Sequence, residues 1–153
     1  MLFNLEKCKA MHFGKHNIKA DYIMGGKTLQ VVKDEKDLGV IIQYDLKVSQ
    51  QCTKAVNTAN KVLGMIFRAF TYKKGVILKL YNSLVRPHLE YCIQAWRPYL
   101  QKDINLLEKV QGRATRMIDS LKGLSYDDRL RHLDLTTLET RRLRDLIQVF
   151  KIG

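Results

Sequence analysis

Two periods of hydrophobic recurrence run along this chain, and one gives way to the other near residue 46. Up to that point the apolar stretches are short and extended in character. "KCKAMHFG" reads as a strand ended by Gly14. "DYIMGGKTLQVV" reads as two runs about Gly25-Gly26, which can both take positive φ and so close a hairpin. "DLGVIIQ" is a third run rich in β-branched residues, and Gly39 inside it predicts a bulge or a close approach of backbone to another group.

Beyond Leu46 the recurrence becomes that of an amphipathic helix. Val48, Cys52, Ala55, Val56, Ala59, Val62, Leu63, Ile66, Phe67 and Phe70 follow the i, i+3, i+4 rule. A second helix is predicted from about Val76 to Trp96, with Leu80, Tyr81, Leu84, Tyr91 and Cys92 on one face. Pro87 must kink or split it, because proline lacks the N–H and clashes one turn back. A third spans about Asp103 to Ile118, with Ile104, Leu107, Val110, Ala114, Met117 and Ile118 facing inward. Two shorter helices follow, opening at Ser125 (with Asp128 three residues on) and at Thr136 (with Glu139 three residues on), the spacing of a capping box. The expected fold class is α+β: a small N-terminal antiparallel β unit over residues 1–46, then a helical bundle over 47–153. The length of 153 residues suits one domain, or a small domain with a helical extension.

Composition narrows the class. Apolar residues make up 46%, enough for a packed core. The longest apolar run, "VILKLYNSLV", is interrupted by polar residues and falls short of the roughly 18 that span a bilayer, so no membrane partner is expected. The first residues lack the apolar core and small-residue cleavage site of a secretory signal. Cys8, Cys52 and Cys92 are odd in number and widely spaced, as in a reducing compartment. The expectation is a soluble intracellular protein, nuclear or cytoplasmic. Cys8, His12 and His16 form C-x3-H-x3-H. On a strand they would share a face but stand too far apart for one ion, so no metal site is expected.

Charge changes the picture most. The net charge is +12, and residues 47–102 carry ten basic side chains against one acid, Glu90. A solvated surface ordinarily mixes signs; a long stretch of one sign points to a polyanionic partner. Lys47, Lys54, Lys61 and Arg68 recur every seven residues. On a helix that spacing returns each side chain to within about 20° of the last. It makes a stripe roughly 150° from the apolar face, with a pitch of about 10.5 Å, or about three phosphates along one DNA strand. Lys109, Arg113 and Arg116 repeat the arrangement on the third helix.

Four segments then carry a resemblance: "FNLEKCKAMHFG", "EKDLGVIIQYDLKVSQQC", "LVRPHLEYCIQAWRP" and "LEKVQGRATRMI". In this order and spacing they resemble the C-terminal part of the reverse transcriptase of a non-LTR retrotransposon, of the jockey-like long-interspersed-element type. The resemblance covers nearly the whole chain and implies the end of a palm, a primer-grip-like hairpin and a thumb. Asn4 and Lys7 match the family's N-x-x-K motif, whose lysine is thought to lie near the triphosphate and to neutralise or protonate departing pyrophosphate. Leu38 and Gly39 match its L-G motif, a tight hairpin that supports the primer end. The thumb would clamp a template–primer duplex, RNA or RNA–DNA hybrid, by shape and phosphates. For Trp96 the expected role is core packing.

The family's metal-binding carboxylates sit in an aromatic-x-Asp-Asp strand–turn motif, which would precede residue 1. Asp127-Asp128 after Tyr126 echoes that motif, but at a capped helix start and on the wrong side of the other segments. The resemblance therefore implies no catalytic residue and no resident cofactor here, Mg²⁺ belonging to the complete polymerase. Its partners would be nucleic acid and the remaining palm and fingers. Two other readings stand beside it: a non-catalytic nucleic-acid-binding module, and a helical interaction domain derived from a retroelement.

Overall fold

A computed structural model describes residues 4–69 and 74–152; short strands come first and helices follow, an α+β order. The expected inward position Phe70 lies outside the described residues. The chain divides into two compact units, Met1–Gln50 and Gln51–Gly153. No helix among the described residues is long and apolar enough to cross a membrane.

The first unit opens on a turn that takes in Lys7, the first residue of the expected strand. Asn4 Oδ1 accepts the Glu6 N–H at 3.1 Å, and the Asn4 carbonyl accepts the Lys7 N–H at 3.0 Å. Asparagine favours such local bonds over a sheet ladder, so Leu5–Lys7 winds into a 3₁₀ turn and the strand proper, β1, is Lys9–Ala10. Strands β2 (Ile23–Met24) and β3 (Lys27–Thr28) pair antiparallel. Gly25 and Gly26 between them both take positive φ, the two-residue hairpin turn expected from the sequence. Strand β4 (Gln30–Val31) then lies parallel to β1, Lys9 opposite Gln30. Strands β5 (Asp34–Asp37) and β6 (Val40–Gln43) form a second antiparallel hairpin, Asp37 opposite Val40.

That register corrects the expectation of a bulge at Gly39. With Asp37 and Val40 paired, Leu38 (φ 44°) and Gly39 (φ 87°) are the two-residue turn itself. Glycine takes its left-handed position without strain, but Leu38 does so against its own Cβ. Leu38 is also 82% exposed. Leu38→Asn should therefore stabilise the first unit, by about 0.5–1 kcal/mol. Slower amide hydrogen exchange across β5 and β6 is the measurement that checks it.

In the second unit, α1 (Ser49–Ala69) buries Cys52, Ala55, Val56, Ala59, Leu63 and Ile66. Phe67, expected among them, is exposed instead. The predicted second helix is a broken series: α2 (Lys74–Leu80), a π-helical turn at Tyr81–Val85, α3 (Arg86–Glu90) and α4 (Ile93–Trp96). In the π turn the Arg86 N–H reaches back to the Tyr81 carbonyl. This wider turn makes room for the Pro87 ring, which would otherwise meet the Ser83 carbonyl. It also moves the buried face, since each wide turn consumes more than 3.6 residues. Ile77, Tyr81, Val85, Leu89, Ile93 and Trp96 are buried, while the expected Leu84 and Tyr91 are exposed. The break between α3 and α4 is a left-handed Cys92 (φ 51°).

Helix α5 (Gln101–Arg116) buries Leu107, Val110 and Ala114 as expected, with Met117 and Ile118 just beyond its end. Helix α6 (Tyr126–Leu133) is capped by Ser125, whose Oγ accepts the Asp128 N–H at 3.2 Å. Helix α7 (Leu138–Ile152) starts later than expected. Its capping hydroxyl is Thr137, accepting the Thr140 N–H at 3.1 Å, rather than Thr136. The Leu138 N–H is claimed from outside the helix, by the Glu108 carboxylate at 3.1 Å. That long-range bond fixes the start of α7 where local spacing points one residue earlier.

Candidate nucleic-acid interface

One flank of α5 is fastened by polar bonds, and this sets which way its cations point. The Gln111 side chain is buried; its Oε1 accepts the Tyr81 hydroxyl at 2.8 Å, and its Nε2 donates to the Thr136 carbonyl at 3.0 Å. Glu108 accepts from the Tyr126 hydroxyl and from Leu138. Burial raises the Glu108 carboxyl above its ordinary range, against the bonds from Tyr126 and Leu138 that lower it. The buried Arg142 of α7 is lowered by the same desolvation, and Glu108 is the first of the charges that offset it. With Leu107, Gln111 and Ala114 held inward, Lys109, Arg113 and Arg116 fall on the outer side, and Arg113 and Arg116 border the surface grooves described below.

Helix α1 repeats this with less machinery. It contains no carboxylate, and Lys61 and Arg68 lie exposed on the side away from its buried face, with Lys54 half-buried between solvent and protein. The stripe is shorter than expected. Lys47 precedes the helix and belongs to the first unit; its N–H and Nζ both engage the Asp45 carboxylate, at 3.1 and 2.8 Å. An acid two residues upstream pulls this lysine back along the chain. It lies outside the helix that carries Lys54, Lys61 and Arg68.

Within the second unit the two cationic helices meet. Arg113 Nη1 donates to Asn60 Oδ1 at 3.1 Å. Beside that bond a groove of about 460 Å³ runs between α1 and α5, with Leu63, Gly64, Phe67 and Met117 along it and Arg113 and Arg116 at its edge. On the other flank of the same two arginines a second, more polar groove of about 610 Å³ reaches Lys109, Tyr126 and Arg129. Arg113 and Arg116 thus form a ridge between two depressions.

The remaining expected positions lie in the first unit or bear no such cluster. Lys7 ends the 3₁₀ turn and is exposed, and Leu38 and Gly39 form the β5–β6 tip. Asp127 and Asp128 are first-turn residues of α6; the Asp128 carboxylate accepts the Ser125 hydroxyl at 2.6 Å and pairs with Arg131 at 3.3 Å. Among the described residues no three His, Cys, Asp or Glu side chains come together to hold a metal ion. Cys52 is fully buried, its thiol pushed up to about 12 by burial, and so is no nucleophile.

No protein-family model matches the sequence, and no solved structure matches it. The chain is 25% identical over 118 residues to a Caenorhabditis elegans protein described only as uncharacterized, a match covering 74% of this chain. The chain spans 60% of the length of that relative.

Sequence reasoning misses Asn60, Gly64 and Lys122 beside the groove and the Glu108–Gln111–Tyr126 bonds behind it. An isolated glycine inside an otherwise regular helix pattern is a usable signal for Gly64. The polar bonds join residues 15 to 30 apart in sequence, and no local pattern announces them.

Proposed function

We propose that this chain is the end-of-palm and thumb portion of a non-LTR retrotransposon RNA-directed DNA polymerase, and that its helical unit grips the template–primer duplex. The observation that carries the reading is the placement of Lys61, Arg68, Lys109, Arg113 and Arg116 on the outer sides of two amphipathic helices, one of which has no acid at all. Cations so placed meet phosphates rather than base edges, and would hold an RNA–DNA hybrid by its shape and charge. Lys7 and the Leu38-Gly39 tip keep the roles that the resemblance implies, beside triphosphate and primer end. On this reading the chain supplies grip and no chemistry, because the resembled family carries the carboxylates for its two metals in the palm segment that precedes these motifs, so primer extension by the isolated chain should give no product. The reading places it inside the cell, in nucleus or cytoplasm.

One observation favours a protein partner for the first unit as well. Among its described residues Ala10 and Val40 are the buried apolar side chains, whereas Ile18, Tyr22, Ile23, Leu38 and Leu46 are more than half exposed. A sheet so poorly covered suits a fragment completed by the rest of a palm.

The test is a binding isotherm for an RNA–DNA hybrid over a salt series. Affinity should fall steeply with salt, and a variant with Lys61→Gln, Arg68→Gln and Arg116→Gln should flatten the log–log slope by about 0.9 for each phosphate it no longer neutralises. An unchanged slope, or no binding at the lowest salt, rejects the reading.

A further inference from the structure

The groove between α1 and α5 differs from the cationic rows around it in being apolar inside. Leu63, Phe67 and Met117 give it greasy walls, and Gly64 leaves room between them, since a Cβ there would meet nothing nearer than Arg68 Nη1 at 3.8 Å. Arg68 Nη1 therefore stands next to Gly64, one turn along the same helix, while Arg113 and Arg116 line the groove itself. Asp119 on the rim is paired with Lys122 at 2.5 Å, so the rim as a whole stays positive. Gripping phosphates alone needs no such interior.

We infer that this groove takes one unpaired nucleobase next to the gripped duplex, stacked on Phe67 and flanked by Met117, with its neighbouring phosphates on Arg68, Arg113 and Arg116. The inference rests on the duplex-gripping reading and names what a particular part of that surface binds. Volume favours a base over a peptide helix: about 460 Å³ is the size of a small-ligand cleft. A docked helix needs a longer furrow for anchors at i, i+3, i+4 and i+7. An aromatic face beside guanidinium groups is the pairing that holds single-stranded nucleic acid with little sequence preference.

The experiment compares three hybrid duplexes in fluorescence anisotropy: one blunt, one with a single-stranded overhang, and one whose overhang lacks bases but keeps its phosphates. The base-bearing overhang should bind about 5- to 100-fold more tightly than the abasic one. Gly64→Leu, which fills the groove and improves helix propensity, should abolish that preference and leave blunt-duplex affinity unchanged. Phe67→Ala, at an exposed position, should do the same by removing the stacking face. Equal affinity for the base-bearing and abasic overhangs, with blunt binding intact, overturns the groove inference and spares the duplex reading. A preference that survives both substitutions also overturns it. Failure to bind any of the three duplexes defeats the duplex reading and this inference with it.

Discussion

Glu108→Ala should destabilise the helical unit by about 3–5 kcal/mol. The carboxylate takes the Tyr126 hydroxyl, the Leu138 N–H and, more distantly, Gln111 Nε2 at 3.4 Å. Alanine leaves donors buried without an acceptor, each costing about 1–3 kcal/mol, and strips the buried Arg142 of its foremost counter-charge. Glu108→Gln keeps an acceptor and the volume, so it should cost much less. The glutamine variant also differs from wild type in pH response. Burial raises the Glu108 carboxyl in the folded state above its ordinary 4.5. Its stabilising contribution is therefore full below 4.5 and declines as pH rises through the higher folded value. Denaturant midpoints measured from about pH 4 upward should show that decline in wild type and lose it in Glu108→Gln.

Trp96→Ala should cost a similar amount, about 3–5 kcal/mol, through a different cause. Trp96 is 1% exposed and its indole N–H donates to the Tyr91 carbonyl at 2.6 Å. That bond closes the left-handed break at Cys92, so one side chain both fills the core and fastens the junction of α3 and α4. Alanine opens a cavity and frees the carbonyl; Trp96→Phe keeps most of the volume and should cost about 1–3 kcal/mol for the missing bond. Because this is the chain's single tryptophan, its emission reports unfolding of the second unit directly. A native spectrum already shifted to long wavelength would contradict its burial.

These two residues mark the difference between what is legible in the sequence and what is not. Local rules work where the cause is local. Gly25-Gly26 reads as a tight turn, Ser125 caps the helix it precedes, and the spacing of Cys52, Ala55, Ala59 and Leu63 announces a buried face. The place of Trp96 in the core is also readable. The π turn is not, because Ile77, Tyr81, Val85 and Leu89 fit an i+4 row that a straight helix also shows. Nor is the start of α7, which Glu108 decides from 30 residues away. Lys47 carries the period of a helix it does not join, because the neighbouring Asp45 outweighs that period. The cationic side of the candidate interface is plain from charge and period alone. Its apolar groove is not, since the walls come from two helices whose mutual placement no single stretch encodes.

The fastening of α5 has a consequence for the order in which the molecule is made. Its Glu108 and Gln111 emerge from the ribosome before Tyr126, Thr136 and Leu138, the groups that satisfy them. Until residue 138 has been synthesised, the side of α5 destined for the interior carries an unmatched charge and an amide whose carbonyl alone has its partner, Tyr81. A half-finished helical unit thus has reason to stay loose and wet, and its consolidation waits on the last helix rather than the first.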